Sequence, residues 1–317
     1  MNFEHSIDAS HVNSRLDRFV CGLYPAQSRA SIQKYIKQGA VQVNDKKVTP
    51  HHFLKLNDMV TVNDSVLSVL VKHTSAPADS AKKNTIARAA PVQEPKVIEE
   101  TSEYLVINKP AGLLVHPVDL PSEENTLVDW LTSHDPEIKK IGDDARLRPG
   151  IVHRLDKEVS GVMIIAKTSR FFDYIKNQFQ NHRVKKTYLA LVYGKMPREQ
   201  GVIDLPIERH ATEPRMAVRS KRQEGKYAYT EYLVLKQHPT CALLKVNIAT
   251  GRTHQIRAHL HAFGHPIVGD PLYTNKNFKP IKTPGVCLQA TELVFTDAEG
   301  NTHSFSLPPS SLFKSYL

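Results

Sequence analysis

The chain has 317 residues, of which 40% are hydrophobic, so it is long enough for one substantial core and a smaller second module. Its 42 Lys and Arg against 32 Asp and Glu give a formal net charge of +10, which favours a polyanionic partner such as nucleic acid or an anionic membrane over a basic protein without one. Three scattered cysteines exclude a disulfide framework, and the absence of a signal-peptide pattern or of a run of about 18 apolar residues predicts a cytoplasmic protein that does not span a membrane.

The N-terminal part predicts a compact module with two helices and short strands. Apolar residues recur at helical spacing in two segments of residues 14–40, which Pro25 separates. Ser28 is suited to cap the second helix, and Gly39 is suited to end it. The following segment AVQVNDKKVTP predicts a strand, an Asn-Asp turn and a strand, and LKLNDMVTV predicts a further strand pair that ends near residue 62.

Basic side chains recur along this module, and most runs of charge are only solvated surfaces. However, the stretch SRLDRFV…SRASIQKYIKQGAVQVNDKKV resembles the small RNA-binding module first seen in small-subunit ribosomal protein four. The resemblance implies that the second helix and the turn after it contact RNA phosphates. The residues expected to do so are Arg15, Arg18, Arg29, Lys34 and Lys37. We therefore expect residues 1–71 to form an RNA-binding module.

Residues 72–96 are rich in Ala, Ser, Pro and Lys, which is typical of a flexible linker, and residues 97–317 follow as a second domain. That domain should open with a strand, a tight turn at KPAG and another strand. Helices are predicted at TLVDWLTSH and at SRFFDYIKNQFQNH, the latter capped by Ser169 and burying Phe172, Ile175 and Phe179. Further strands are VMIIAK, TYLALVYG, TEYLVLKQ, ALLKVNIA, CLQATELVF and THSFSL, with a DAEGN hairpin turn before the last. The predicted class is α+β with a mixed, largely antiparallel sheet.

Two segments depart from a simple packing pattern. In HRLDKEVSGVMIIAKT, Asp156 lies on a loop just before an apolar strand, and ATGRTHQIRAHLHAFGHPIVGDPLY carries Arg252 and Arg257 around the start of a helix. A half-buried carboxylate that must stay ionised needs a nearby cation, which Arg257 or Arg154 could provide. Asp-Arg pairs are more often buried clamps than catalytic groups, so the residue types leave both interpretations open.

Together these segments resemble the RluA family of pseudouridine synthases, as do VINKPAGLLVHP and KTYLALVYG. The resemblance covers residues 97–295 and implies an enzyme that isomerises uridine to pseudouridine in structured RNA, chiefly large-subunit ribosomal RNA, without a cofactor. It implies that Asp156 is the nucleophile and that Tyr188 packs on the target ring and takes a proton. Arg257 would form a salt bridge to the nucleophile, and Arg154 would approach the space that the flipped base leaves.

The matching motifs also predict a wider set of substrate contacts. These residues are His153, Arg154, Lys157, Arg252, His254, Leu288, Asn108 and Lys109. The chain departs from the family at KEVSG, at HPVDLPSEEN and at Gln289, where the family usually has His. Which RNA and which uridine are recognised therefore stays open, as does the route of attack, at carbon 6 of the ring or at carbon 1′ of the ribose. We expect a monomer.

Three alternatives compete with this interpretation. The histidines His254, His259, His261 and His265 would suit a metallohydrolase, but we place His254 and His261 on different helical faces and find no HExxH, so no metal site is expected. A non-catalytic RNA-binding protein would be expected to lack the Asp-Tyr-Arg set, which is present here. A transfer-RNA pseudouridine synthase remains the third.

Overall fold

A computed structural model describes residues 2–8, 11–12, 14–24, 29–63, 93–116, 125–144, 147–210 and 212–317. These residues fall into two compact units, which are described separately. Four predicted features lie wholly or largely outside the described residues. They are the cap Ser28, the break at Pro25, residues 117–124 of the HPVDLPSEEN segment and most of the linker 72–96. In the part of the chain that is described, no helix has the length and apolar character to span a membrane.

Where it is described, up to Asn63, the N-terminal unit has two helices and a four-stranded antiparallel sheet. Its elements are β1 (Asn2–Ser6), α1 (Leu16–Leu23), α2 (Arg29–Gln38), β2 (Val41–Val43), β3 (Lys46–Lys47) and β4 (Met59–Asn63), with strand order β1-β4-β2-β3. Asn44 and Asp45 both have positive φ, as a two-residue hairpin turn requires. LKLNDMVTV contributes one strand and not the predicted pair, because Asp58 accepts a hydrogen bond from the Lys55 amide (2.8 Å) and folds residues 55–58 into a turn.

The C-terminal unit is built on a large sheet. Its strands are β5 (Lys96–Glu100), β6 (Tyr104–Lys109), β7 (Ser160–Ala166), β8 (Lys185–Tyr193), β9 (Gln200–Asp204), β10 (Ile207–Arg209), β11 (Met216–Val218), β12 (Tyr229–Gln237), β13 (Cys241–Ile248), β14 (Leu288–Thr296) and β15 (Thr302–Ser306). Strands β10 and β11 pair separately; the others form the order β5-β6-β7-β14-β8-β13-β12-β9, with β15 on β14. Only β7 and β14 pair in parallel among these strands, so the predicted α+β class with a largely antiparallel mixed sheet is confirmed.

Among the described residues, three α-helices accompany this sheet: α3 (Leu127–His134), α4 (Ser169–Gln180) and α5 (Gln255–Ala262). Two short 3-10 helices lie at Pro136–Lys140 and Ser311–Phe313. The prediction that Ser169 caps α4 is wrong, because the cap is Thr168. Thr168 is extended and its hydroxyl accepts the Phe171 amide (3.2 Å), so the helix has already begun at Ser169. The apolar face of α4 buries Phe171 together with Phe172 and Ile175. Phe179, predicted to be buried, is only partly so.

The parallel contact between β7 and β14 places the end of the HRLDKEVSG segment beside the start of the strand that begins at Leu288. Gly161 has φ +137°, and a Cβ there would lie 2.2 Å from the Ala290 carbonyl oxygen, so only glycine permits the close approach. In the same rows, Ala290 pairs with Tyr188 of β8, which pairs with Val246 of β13. The loop before β7 is thereby fixed beside β8 and the start of β14.

Candidate active site

A cleft in the C-terminal unit collects residues from distant parts of the sequence. The loop before β7, the middle of β8, the start of β14 and the segment that leads into α5 form its walls. The lining residues include Arg154, Asp156, Tyr188, Arg252, His254, Arg257 and Leu288, all of which the sequence had singled out. Residues up to 134 positions apart in sequence, Arg154 and Leu288, thus meet in one site.

Arg257 is the centre of the site's charge network. Its side chain is fully buried, and Asp270, equally buried, accepts from Nε (2.7 Å) and Nη2 (3.0 Å) in a two-pronged pair. Burial by itself lowers the pKa of Arg257, but the hydrogen bonds and charge of Asp270, together with Asp156, outweigh it and raise that pKa. The guanidinium is therefore a permanent, immobile cation at the base of the cleft.

The remaining Arg257 nitrogen, Nη1, holds two further carboxylates. It donates to Oδ2 of Asp156 at 3.1 Å and to Oε2 of Glu158 at 3.3 Å. The Asp156 side chain is 13% exposed, and its Oδ1 accepts no hydrogen bond from the described residues. Asp156 is thus anchored through one oxygen and presents the other to the cleft. No sequence pattern singled out Asp270 or Glu158 as partners of Arg257.

Tyr188 forms an apolar wall beside this carboxylate, together with Leu288. The ring is buried on β8, and no described residue hydrogen-bonds to its hydroxyl. Burial raises the pKa of Tyr188, and the negative charge of Asp156 raises it further. The phenol is therefore held in its protonated form, with its hydroxyl available to a ligand.

Gln255 fixes the loop that leads into α5. Its Oε1 accepts from the Thr250 hydroxyl (2.7 Å) and from the Arg252 amide (3.0 Å), while its Nε2 donates to the Tyr229 carbonyl (3.0 Å). These bonds tie residues 250–255 to β12 and orient Arg252, whose Nε donates to the Tyr227 carbonyl at 2.9 Å. An internal amide of this kind has no sequence signature, and sequence analysis missed it.

Tyr273 supports the opposite side of the loop. Its hydroxyl contacts His254 Nδ1 at 3.2 Å, and its ring lies under the Arg257 guanidinium, 5.4 Å from centroid to Cζ.

The expectation that His254 and His261 lie on different helical faces is wrong. Both imidazole centroids lie 5.7 Å from the Tyr273 ring, because seven residues are close to two helical turns. Among the described residues, no three His, Cys, Asp or Glu side chains converge in a way that could hold a metal ion.

Two residues predicted to bind substrate have structural roles instead. Lys109 is fully buried, and its ammonium donates to the carbonyls of Pro110 (2.9 Å), Leu113 (2.8 Å) and Lys157 (3.3 Å). Burial lowers its pKa to about 7, although Asp156 and Glu158 oppose that shift. Because Lys109 holds the turn after β6 in this form, LLVHP makes only a single bridge, Leu114 to Thr126, and not the predicted strand.

His153 is the second of these residues. Its Nε2 accepts the Ile164 amide at 3.0 Å, and its ring stacks on Phe179 with centroids 4.7 Å apart. Burial lowers the pKa of His153 to about 3, so the ring is neutral and anchors the loop before β7. Asn108, in β6 between Lys96 and Val162, and Lys157, whose carbonyl accepts the Gly112 amide, do not line the cleft as the described residues define it.

The basic residues of the N-terminal unit divide into two groups. Arg15, predicted to contact RNA, makes a two-pronged pair with the buried Asp17, at 3.1 and 2.8 Å. Arg18, Lys34 and Lys37 are exposed, on α1 and α2. The side chain of Arg29 lies outside the described residues.

Comparison with known proteins identifies two family matches. Residues 103–262 match the family described as RNA pseudouridylate synthase, and residues 14–60 match the S4 domain. An uncharacterized RNA pseudouridine synthase of Aquifex aeolicus is 40% identical over 267 residues, which cover 83% of this chain and 78% of that protein. The ribosomal large subunit pseudouridine synthase D of Nitrosomonas europaea is 36% identical over 289 residues, covering 89% and 77%.

Solved structures give the same fold. The "Human RNA Pseudouridylate Synthase Domain Containing 1" structure aligns with a TM-score of 0.57 at 24% identity, over 72% of this chain and 88% of the other. The "Human RNA Pseudouridylate Synthase Domain Containing 4" structure aligns with a TM-score of 0.54 at 25% identity, over 69% and 90%. The fold and the family resemblance predicted from the sequence are thereby confirmed.

Proposed function

The chain belongs to the RNA pseudouridylate synthase family, and from this premise we propose that it isomerises particular uridines of large-subunit ribosomal RNA, with Asp156 as nucleophile. It is an RNA pseudouridine synthase, an isomerase with an RNA-binding S4 domain. The observation that carries the mechanistic part is the position of Asp156, which lines the cleft and is held through Oδ2 by the buried Arg257, while its Oδ1 accepts no hydrogen bond from the described residues.

The proposed reaction needs only this carboxylate and a proton acceptor. Asp156 attacks carbon 6 of uracil or carbon 1′ of the ribose, and the bond from carbon 1′ to N1 breaks. Uracil then turns so that carbon 5 bonds to carbon 1′, the bond to Asp156 breaks and frees the carboxylate, and the proton on carbon 5 leaves while N1 gains one. Atoms and electrons balance without an oxidant or a reductant. Tyr188, beside Asp156, is the group we assign to the ring and to this proton; because its hydroxyl is protonated at rest, it takes the carbon-5 proton only as it gives its own proton away.

Access to the uridine requires the base to leave its stack, which costs a few kcal/mol. Arg154 is exposed at the rim of the cleft and is the residue we assign to the vacated space. Arg252 lies on the opposite wall, where its charge suits the flanking phosphates. Leu288 and the Tyr188 ring offer the apolar surfaces against which a flipped pyrimidine can pack.

Three observations favour large-subunit ribosomal RNA as the substrate. Relatives over most of the chain carry that substrate in their names, the N-terminal unit matches the S4 domain, and the formal charge is +10. The predicted monomeric state and cytoplasmic location stay predictions.

The decisive test is pseudouridine mapping of ribosomal and transfer RNA from cells with and without this protein. We expect at least one site in large-subunit ribosomal RNA to disappear in its absence and to return with the wild-type protein but not with Asp156→Asn. If pseudouridine disappeared only from transfer RNA, transfer RNA would be the substrate. If no pseudouridine disappeared, the proposed function would be contradicted.

Tyr188→Phe tests the proton role on the RNA so identified. The Phe ring keeps the packing surface, so we expect RNA affinity to be retained while the single-turnover rate falls by about a hundredfold or more. Tyr188→Ala, which removes the ring as well, should bind less tightly in addition. A fully active Phe variant would rule out the proton role.

A further inference from the structure

His254 presents one ring nitrogen to the cleft next to the proposed nucleophile. The residue precedes α5 with φ +52°, and its side chain is 17% exposed. Its Nε2 lies 4.0 Å from Oδ2 of Asp156, which is too far for a hydrogen bond but close enough for a strong electrostatic interaction. What lies between these two atoms depends on which nitrogen of His254 carries the proton.

The contacts of Tyr273 allow that proton two positions. The Met216 amide donates to the Tyr273 hydroxyl at 2.8 Å, and the single hydroxyl proton goes either to the Met216 carbonyl at 3.3 Å or to His254 Nδ1 at 3.2 Å. We take the first arrangement as the premise, in which the hydroxyl accepts from a protonated Nδ1. Burial lowers the pKa of His254, against the opposing charge of Asp156, and in this arrangement the neutral ring leaves a lone pair on Nε2.

Two acceptors therefore face each other across 4.0 Å, the Nε2 lone pair and the Asp156 carboxylate. Such a pair is stabilised only when a donor enters between or beside them. Within an RNA chain the 3′ and 5′ oxygens of uridine are esterified, which leaves two donors, N3–H of the base and the ribose 2′-hydroxyl. N3 lies across the ring from carbon 6, whereas the 2′-hydroxyl is attached to the carbon next to carbon 1′. On either route of attack, the 2′-hydroxyl is the donor nearer to the glycosidic bond.

We propose, building on the function assigned above, that His254 Nε2 accepts a hydrogen bond from the 2′-hydroxyl of the target uridine and thereby selects ribose over deoxyribose at that position. A 2′-hydroxyl is the group by which a protein distinguishes RNA from DNA at a single nucleotide. Tyr273 is a positioning residue in this arrangement, since it acts through His254 and lies behind it.

The test compares two changes, one in the protein and one in the RNA. His254→Asn places an amide donor near the former Nδ1, tolerates positive φ, and has no atom at the Nε2 position. The RNA is a short stem-loop with a uridine identified by mapping, carrying a 2′-hydroxyl, a 2′-hydrogen or a 2′-fluorine at that nucleotide. The 2′-fluoro group removes the donor while keeping a ribose-like pucker. Single-turnover rates at subsaturating protein and dissociation constants are measured for each combination.

For the wild-type protein we expect both modified RNAs to react about tenfold more slowly or worse than the unmodified one, as the loss of one hydrogen bond implies. For His254→Asn the three RNAs should react at one rate, close to the wild-type rate on deoxyuridine. His261→Asn, the same change at the second histidine in contact with Tyr273 and outside the cleft, should keep the wild-type ratio. Tyr273→Phe should reduce the ratio without abolishing it, because the tautomer is no longer fixed.

An undiminished penalty for the modified RNAs in His254→Asn, or no penalty in the wild-type protein, would overturn the proposal. If neither modified RNA gives product with any protein, the ratios of the dissociation constants decide by the same criterion. Failure of the proposed function is a separate result, because it would appear as no product from the wild-type protein with unmodified RNA.

Discussion

Both units of the protein contain a two-pronged Arg-Asp pair with a buried carboxylate, and only one of the pairs belongs to a cleft. In the N-terminal unit Arg15 grips Asp17, which also accepts the Gln33 amide at 2.6 Å. In the C-terminal unit Arg257 grips Asp270 with similar distances, 2.7 and 3.0 Å. The pairing itself therefore carries no information about function.

The difference lies in what else the guanidinium binds. Arg257 still has Nη1, which holds Asp156 with one carboxylate oxygen turned to the cleft. Asp17, by contrast, is fully buried, and its carboxylate is engaged by Arg15 and Gln33. A carboxylate that is anchored but incompletely hydrogen-bonded marks a reactive site, whereas a completely engaged one is a clamp.

The largest expected effect is at the anchored carboxylate. Asp156→Asn keeps the shape and an acceptor for Arg257 but cannot act as a nucleophile, so we expect single-turnover isomerisation to fall by about a thousandfold or more with the fold retained. Asp17→Asn in the other unit is the matched control and should leave chemistry on a short stem-loop unchanged. Turnover of the Asp156 variant within tenfold of wild type would sink the assignment.

The second largest effect is expected at the Arg257–Asp270 pair, which anchors Asp156. Asp270→Asn leaves the buried Arg257 without its main counter-charge, so the free energy of unfolding of the C-terminal unit should fall by about 3–5 kcal/mol. Urea unfolding followed by the fluorescence of Trp130, the single tryptophan, reports on that unit. Asp17→Asn should not shift this transition, and its cost to its own unit should be smaller because the Arg15 side chain is 27% exposed. Equal losses from both substitutions would contradict this contrast.

His153 provides a pH-dependent test of the loop that carries Asp156. Its pKa is about 3 in the folded protein against 6.5 in a model peptide, so between these values the unfolded chain binds the extra proton. Stability should therefore fall as the pH drops from 6.5 towards 3, by about 1.4 kcal/mol per pH unit from this residue. His153→Gln does not titrate and should show a shallower slope by that amount. Parallel slopes for both proteins would mean that His153 is not buried as a neutral ring.

The smallest effect concerns the exposed cations of the N-terminal unit. Arg18, Lys34 and Lys37 are free of the Asp17 clamp, and each phosphate contact contributes about −0.7 to −0.9 to the slope of log affinity against log salt. Replacing all three with Ala should flatten that slope by about 2 units for the natural RNA. Arg15→Ala should change stability more than the slope. An unchanged slope in the triple variant would show that these side chains are only solvated.

Several elements followed from local pattern because they depend on neighbours in sequence. The Asn44-Asp45 hairpin and the β14–β15 hairpin at DAEGN were predicted from turn chemistry, and α3 begins at Thr126 with the Asp129 capping box that such a segment favours. β1, β9, β10 and β11 were not predicted. They are short, and the pairing that holds them comes from strands distant in sequence.

The predictions for the site divide in the same way. The motifs identified Asp156, Tyr188 and Arg257, and these three line the cleft. They also suggested His153 and Lys109 as ligand contacts, but both side chains already hydrogen-bond to backbone groups inside the fold. A residue type and a motif position cannot reveal whether a donor has already found its partner inside the fold.

By itself the sequence determined the family, the α+β class and the residues that we propose for the chemistry, because long motifs and periodic apolar positions are properties of the chain alone. The tertiary structure decided which carboxylate is fully paired inside the fold, Asp270, and which one lines the cleft, Asp156. Asp270 and Asp156 compete for one guanidinium, and only the geometry of β7, β14 and α5 around Arg257 assigns two of its donor nitrogens to the first and a shared one to the second. Such an assignment depends on distances of a few ångströms between residues about a hundred positions apart, and no local pattern encodes it.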